Sequence, residues 1–226
     1  MRFFWYLSKT KLDHLLSQQK RPLDLPSLIK AEIRVSMVSV GLERKSSEVD
    51  AKQIRALEKL EKKLRDSGAV GSIGDCRGGR QPLFFEFHGP AARLIQDGQF
   101  WIASLEGSTA VLLAGSASHC IGGPNPDANF ISPSVDPIGS IQSLMSHDHE
   151  TEDMQLGNQL SFFWARIIGN ANVDEFGSLP RIKGIAIFAG ATKCDSAQIK
   201  YSGYDADIDQ IVVGSPLFVE QVASLD

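Results

Sequence analysis

Cysteine is scarce in this chain of 226 residues. Cys76, Cys120 and Cys194 lie far apart, odd in number and without a Cys-x-x-Cys pair. That argues against a disulfide framework or a cysteine zinc site, and fits a reducing cytoplasm. An excess of positive charge is also lacking: 23 Lys and Arg stand against 27 Asp and Glu, a formal net charge of −4. Global charge therefore does not draw the chain to nucleic acid, although a local basic patch is compatible with that balance. Long apolar runs are missing too. Phe3-Phe4-Trp5-Tyr6-Leu7 is too short for a signal-peptide core, and nothing approaches a membrane span, so no membrane partner is expected. There is no regular repeat and no obvious linker. With 42% hydrophobic and 22% charged residues, the composition is that of a folded globular chain rather than a disordered one.

What is present is organised around the stretch from Pro82 to Cys120. Short apolar and aromatic runs, Phe84 to His88, Ala91 to Gln96, Gln99 to Leu105 and Thr109 to Gly115, are cut by Asp97-Gly98 and by Glu106-Gly107-Ser108. Such turns need residues that tolerate positive φ, so an antiparallel meander is expected. Ahead of it, Arg2 to Leu7 reads as a buried strand. A helix follows from Ser8, with Leu12, Leu15 and Leu16 on one face and Thr10-x-x-Asp13 as a capping box. Ala31 to Leu42 alternates as a strand would.

Ser47 to Asp66 is an amphipathic helix with Val49, Ile54, Leu57, Leu60 and Leu64 on one stripe and charge opposite. Its ion pairs are Glu48–Lys52, Glu58–Lys62 and Glu61–Arg65, and Gly68 ends it. Further helices are expected from Asp136-Pro137 to Met145 and from Asp153 to Ile168. Ile182 to Ala189 and Ile211 to Val213 read as strands, with Ser215 as N-cap and Pro216 at the first position of a last helix. The architecture implied is one α+β domain over residues 1–226, with a mostly antiparallel, curved or partly closed sheet covered by amphipathic helices.

Two strand-to-helix junctions are the leading sites, one at Ser8, Lys9 and Lys11, the other at Gly214 and Ser215. A helix start offers free N–H groups and a positive dipole end that suit an anion, although ordinary capping accounts for both. The glycine-rich Gly71 to Arg80 offers Arg77 and Arg80 as phosphate contacts. It lacks a Gly-Lys-Ser/Thr ending and reverses the strand–loop–helix order of phosphate loops, so a plain connection explains it as well. The ligand-binding candidates are thus Ser8, Lys9, Lys11, Arg80, Gly214 and Ser215.

His147 to Asp153 has metal-ligand chemistry, but acids also favour a helix entry without any ion. Asp205-Ala206-Asp207-Ile208-Asp209 opens like a calcium loop, yet Gln210 replaces the required glycine, and Pro216 falls where the closing glutamate belongs. No metal and no cofactor is expected. Ser118, Cys120 and Ser215 are possible nucleophiles without a Gly-x-Ser-x-Gly elbow. Glu86 and His88 share one strand face and form the acid–base pair to examine, with His119 as a possible third member.

The opening Tyr6-Leu7-Ser8-Lys9-Thr10-Lys11-Leu12-Asp13 and the closing Gly214-Ser215-Pro216-Leu217-Phe218-Val219 resemble an uncharacterised bacterial protein family. That family has a Tyr-Leu/Val-Ser-x-x-Lys-Leu/Val-Asp start and a Gly-Ser-Pro-Leu-Tyr-Val end. Phe218 stands where tyrosine is usual. The resemblance implies a bacterial intracellular protein and brings no assigned activity or catalytic residue. The function expected is a non-catalytic binding or regulatory module that recognises a small anionic ligand or a partner protein, and a scaffold in which the meander's aromatic surface forms a homo-oligomer interface is a separate reading. The alternative is a hydrolase or transferase using a Glu/His acid–base pair.

Overall fold

A computed structural model describes residues 2–17, 51–77, 81–96, 98–121, 137–145, 154–171, 178–194 and 207–222. Within these, β1 (Phe3–Leu7) leads into α1 (Lys9–Ser17). Next come α2 (Ala51–Asp66), β2 (Val70–Gly71) and α3 (Ile73–Arg77). The strands β3 (Phe84–Gln96), β4 (Gln99–Glu106) and β5 (Thr109–Ser116) follow, then a 3-10 turn at Ala117–His119. The chain continues through α4 (Pro137–Met145), α5 (Leu156–Gly169), β6 (Arg181–Lys193) and β7 (Gln210–Gln221).

The expected meander is present. Gly98 and Gly107 turn its two hairpins at φ 71° and 61°, in the left-handed region where a Cβ is disfavoured. β7 lies parallel to β5, β6 lies antiparallel to both β7 and β3, and the strands close in the order β7-β5-β4-β3-β6. The result is a five-stranded barrel. β1 adds antiparallel to the far half of β7, and the short β2 adds parallel to β3.

Strand alternation then sorts the side chains. Phe85, Phe87, Phe100, Ile102, Val111, Leu113, Ala186, Val212 and Val219, drawn from all five strands, form one buried cluster that fills the lumen. The intervening Trp101, Ala103, Leu112 and Val213 belong to a second cluster with Ile141 and Met145 of α4 and with Leu160, Phe163 and Trp164 of α5. The Trp164 indole also donates to the Ser104 carbonyl at 2.9 Å. Phe84, Ile185 and Phe218 form a third cluster with Leu12 and Leu15 of α1 and Leu57, Leu60 and Leu64 of α2.

A bulge in β1 helps to plug the lumen. Phe4 pairs with Glu220 and Tyr6 with Val219, which leaves Trp5 as an extra residue, so Trp5 and Tyr6 both join the lumen cluster. Tyr6 stacks on Phe100 with centroids 5.4 Å apart, over Gly115. A Cβ at Gly115 would stand 2.6 Å from the tyrosine hydroxyl, so this approach requires glycine.

Several expectations are corrected. No helix starts at Ser215: β7 runs unbroken through Ser215 and Pro216 to Gln221. Its neighbours explain this. β7 exchanges β5 for β1 on one side at this point, and a proline with no N–H to offer is tolerated where a ladder changes partner. The glycine-rich connection is not all loop. Gly71 pairs with Phe85, and Ile73–Arg77 is a helical turn behind a capping box in which the Ser72 N–H donates to Asp75 Oδ2 at 2.7 Å.

α1 begins at Lys9, after Ser8 as expected, but its cap is Ser8 rather than the expected box at Thr10. Of the local pairs foreseen on α2, Glu61–Arg65 yields to tertiary ones, since Glu61 binds Arg2 and Arg65 binds Glu86, while Glu48 lies outside the described residues. α2 ends at Gly68 (φ 66°) as expected. The strand over 31–42, the first turn of the 47–66 helix and the 147–153 run lie outside the described residues.

Candidate functional site

The first strand-to-helix junction and the Gly-Ser-Pro segment meet. The Ser8 N–H donates to the Leu217 carbonyl at 2.9 Å, and Ser8 Oγ accepts from the Lys11 N–H at 3.4 Å, which caps α1. One helical turn on, the Lys11 side chain runs back into the protein. Its Nζ donates to Ser215 Oγ at 2.5 Å and to the Pro216 carbonyl at 3.2 Å, and Ser215 Oγ donates to the Ala114 carbonyl at 3.1 Å.

The ladder dictates this arrangement. β5 pairs with β7 only over residues 210–214, and the β1 pairing reaches back only to Phe218. Between the two, the polar groups of Ser215 and Pro216 have no strand on that side, and Lys11 supplies the donor. Ser8, Lys11 and Ser215 are all buried. Gly214 is a packing position, since a Cβ there would lie 2.7 Å from the Ile187 carbonyl oxygen. Lys9 remains half-buried, and Arg80 lies outside the described residues. Four of the six ligand candidates therefore share one place, where Ser8, Lys11 and Ser215 satisfy the protein's own backbone.

A second charged cluster, missed in the sequence, ties both ends of the chain to α2. Arg2 donates through Nε and Nη2 to Glu220 Oε2 at 3.0 and 2.7 Å, and through Nη2 to Glu61 Oε1 at 3.0 Å. Its guanidinium also lies over the Phe4 and Phe218 rings, and Lys183 reaches Glu220 at 3.8 Å. Burial alone would lower the pKa of Arg2. The hydrogen bonds to Glu220 and Glu61 outweigh that, and it stands above its ordinary value.

The groups considered for catalysis do not converge. Glu86 pairs with Arg65 at 2.6 Å, and His88 Nδ1 lies 3.3 Å from Glu106 Oε2, both at exposed positions. His119 instead meets the Tyr6 hydroxyl at 3.2 Å, just beyond the β5 end whose Ser116 faces Gln99. Glu106 closes the opposite end of the eight-residue β4, so the two histidines belong to strand ends on the order of 20 Å apart. Two of the thiols are equally quiet. Burial, with Asp75 nearby, pushes Cys76 up to about 11, and burial pushes Cys120 up to about 12 against the pull of Arg93. Among the described residues no group of His, Cys, Asp and Glu is arranged to hold a metal ion.

The remaining feature is a cleft of about 630 Å³ between the end of α1 and the start of α2. Leu16, Ala51 and Ala56 give it an apolar lining, while Lys52, Arg55 and Lys59 supply exposed cations. At 3.6 residues per turn, Lys52, Arg55, Lys59, Lys62 and Lys63 fall within an arc of about 100° on α2. Among the described residues none of these five forms an ion pair. The sequence carried this signal as a segregation of charge sign around the helix. Counting i,i+4 pairs overlooked it.

This chain belongs to a family of unknown function (DUF7019), whose model matches residues 2–223, in keeping with the resemblance to an uncharacterised family. No curated protein and no solved structure matches it significantly. Among the described residues no helix is long and apolar enough to cross a membrane.

Proposed function

We propose that this protein is a non-catalytic binding or regulatory module that recognises an anionic group at the α1–α2 cleft. The observation that carries this reading is the cleft's chemistry: three exposed cations, Lys52, Arg55 and Lys59, beside the apolar Leu16, Ala51 and Ala56. Exposed cations that meet no carboxylate among the described residues can pair with an incoming anion, whereas a buried and hydrogen-bonded lysine such as Lys11 is already engaged. The junction of Ser8, Lys11, Gly214 and Ser215 then acts as scaffold, holding α1 at the edge of the cleft.

Action inside a bacterial cytoplasm accords with the family resemblance and with three cysteines that are all free. Isothermal titration with inorganic phosphate, a nucleotide panel and anionic peptides tests the reading. Binding should vanish in Arg55→Glu/Lys59→Glu and persist in a folded Lys11→Met variant. Failure of every probe, or equal binding by the charge-reversed protein, would remove it.

A further inference from the structure

The five-cation arc contrasts with the rest of the molecule. The whole chain has 23 basic and 27 acidic residues, yet the arc on α2 contains Lys52, Arg55, Lys59, Lys62 and Lys63 with Asp66 as its one acid, at the far end. The other acids of α2 lie elsewhere, and Glu61 is held by Arg2. Lys63 differs from the other four: its Nζ is shut off from water and has no hydrogen-bond partner among the described residues.

We infer that the cleft and this helix face dock an acidic segment of a partner protein, one that also carries apolar anchors. This rests on the reading of the cleft as an anion-recognition site and names the partner's class. The apolar lining calls for aliphatic side chains, which a free phosphate or nucleotide phosphate does not offer. From Lys52 to Lys63 the face is roughly 16 Å long. That length matches about three turns of a peptide helix and is about half of one duplex DNA turn. The acidic excess elsewhere on the chain would repel a longer polyanion.

The test uses the full chain and fluorescence anisotropy with a labelled 14-residue Glu/Leu amphipathic peptide. Probes for comparison are the same peptide with Lys in place of Glu, a 14-nucleotide single strand and phosphatidylserine vesicles. The Glu/Leu peptide should bind and weaken with added salt. Binding should weaken at least tenfold in Lys52→Glu/Arg55→Glu/Lys59→Glu, which alters only exposed side chains, and separately in Ala51→Trp, which fills the cleft without changing charge.

Equal binding by the Ala51→Trp variant would overturn docking in the cleft. Preference for the oligonucleotide or the vesicles would overturn the peptide assignment while leaving anion recognition standing. So would phosphate or nucleotide binding, lost on charge reversal, without peptide binding. No binding by any probe would overturn both.

Discussion

The cations of this protein fall into two populations. Lys11 and Arg2 are drawn inward: one completes a strand ladder where β7 changes partner, and the other fastens β1, β7 and α2 together. Lys52, Arg55 and Lys59 stay on the surface and form no ion pair among the described residues. The difference is one of alternatives. A buried cation is kept where the backbone or a carboxylate would otherwise be left unsatisfied, whereas an exposed one is solvated and costs little to rearrange. Architecture should therefore depend on the first population, and recognition on the second.

Breaking the inner set should produce the largest effects. Arg2→Ala leaves Glu220 buried with only the distant Lys183, and should lower unfolding stability by about 3 kcal/mol in urea titrations. Lys11→Ala should cost about 2 kcal/mol, since it strands the Pro216 carbonyl and Ser215. Combined with Ser215→Ala, the loss should fall short of the sum by about 1 kcal/mol, and strict additivity would show that the contact is not energetically coupled.

Alkaline titration is the next test. Cys76 and Cys120 have folded pKa values of about 11 and about 12, above the ordinary thiol value of 9.0. The folded state therefore keeps its protons where the unfolded chain has lost them. Their contribution is complete below pH 9 and is lost as pH rises through 11 and 12. A Cys76→Ala/Cys120→Ala variant should show a shallower decline in unfolding midpoint over that range.

The outer set should scarcely register in stability. Arg65→Ala removes a surface pair with Glu86 and should change stability by less than about 1 kcal/mol. Lys52→Glu, Arg55→Glu and Lys59→Glu should each stay within about 0.5 kcal/mol while altering binding. Global unfolding by any of these three would mean that the surface cations are structural after all.

The sequence conveyed the hairpins well because their cause is local: Gly98 and Gly107 must adopt positive φ, and the flanking runs alternate. The stripe Leu57, Leu60, Leu64 was equally legible at a period of 3.6. Ser215-Pro216 misled, because Ser-Pro after an apolar run reads as a helix start, and nothing nearby reveals that the segment lies inside β7, which pairs with three other strands. A curved or partly closed sheet was expected, but its full closure into a barrel was hidden for the same reason, since it depends on pairing between β6 and β7. Lys11 and Ser215 were selected as anion ligands. They do meet, 204 positions apart in the chain, but each serves the other and the backbone. Arg2 drew no notice because its partners Glu61 and Glu220 are equally remote in sequence.

The position of β7 bears on how the molecule is made. Phe3 pairs with Gln221, so β1 must wait for β7 to be synthesised. At roughly 5–20 residues per second that delay is on the order of 10–40 s. Throughout it Phe4, Trp5 and Tyr6 lack the strand that later shields them. A nascent chain of this kind calls for chaperone cover of β1 until β7 has emerged.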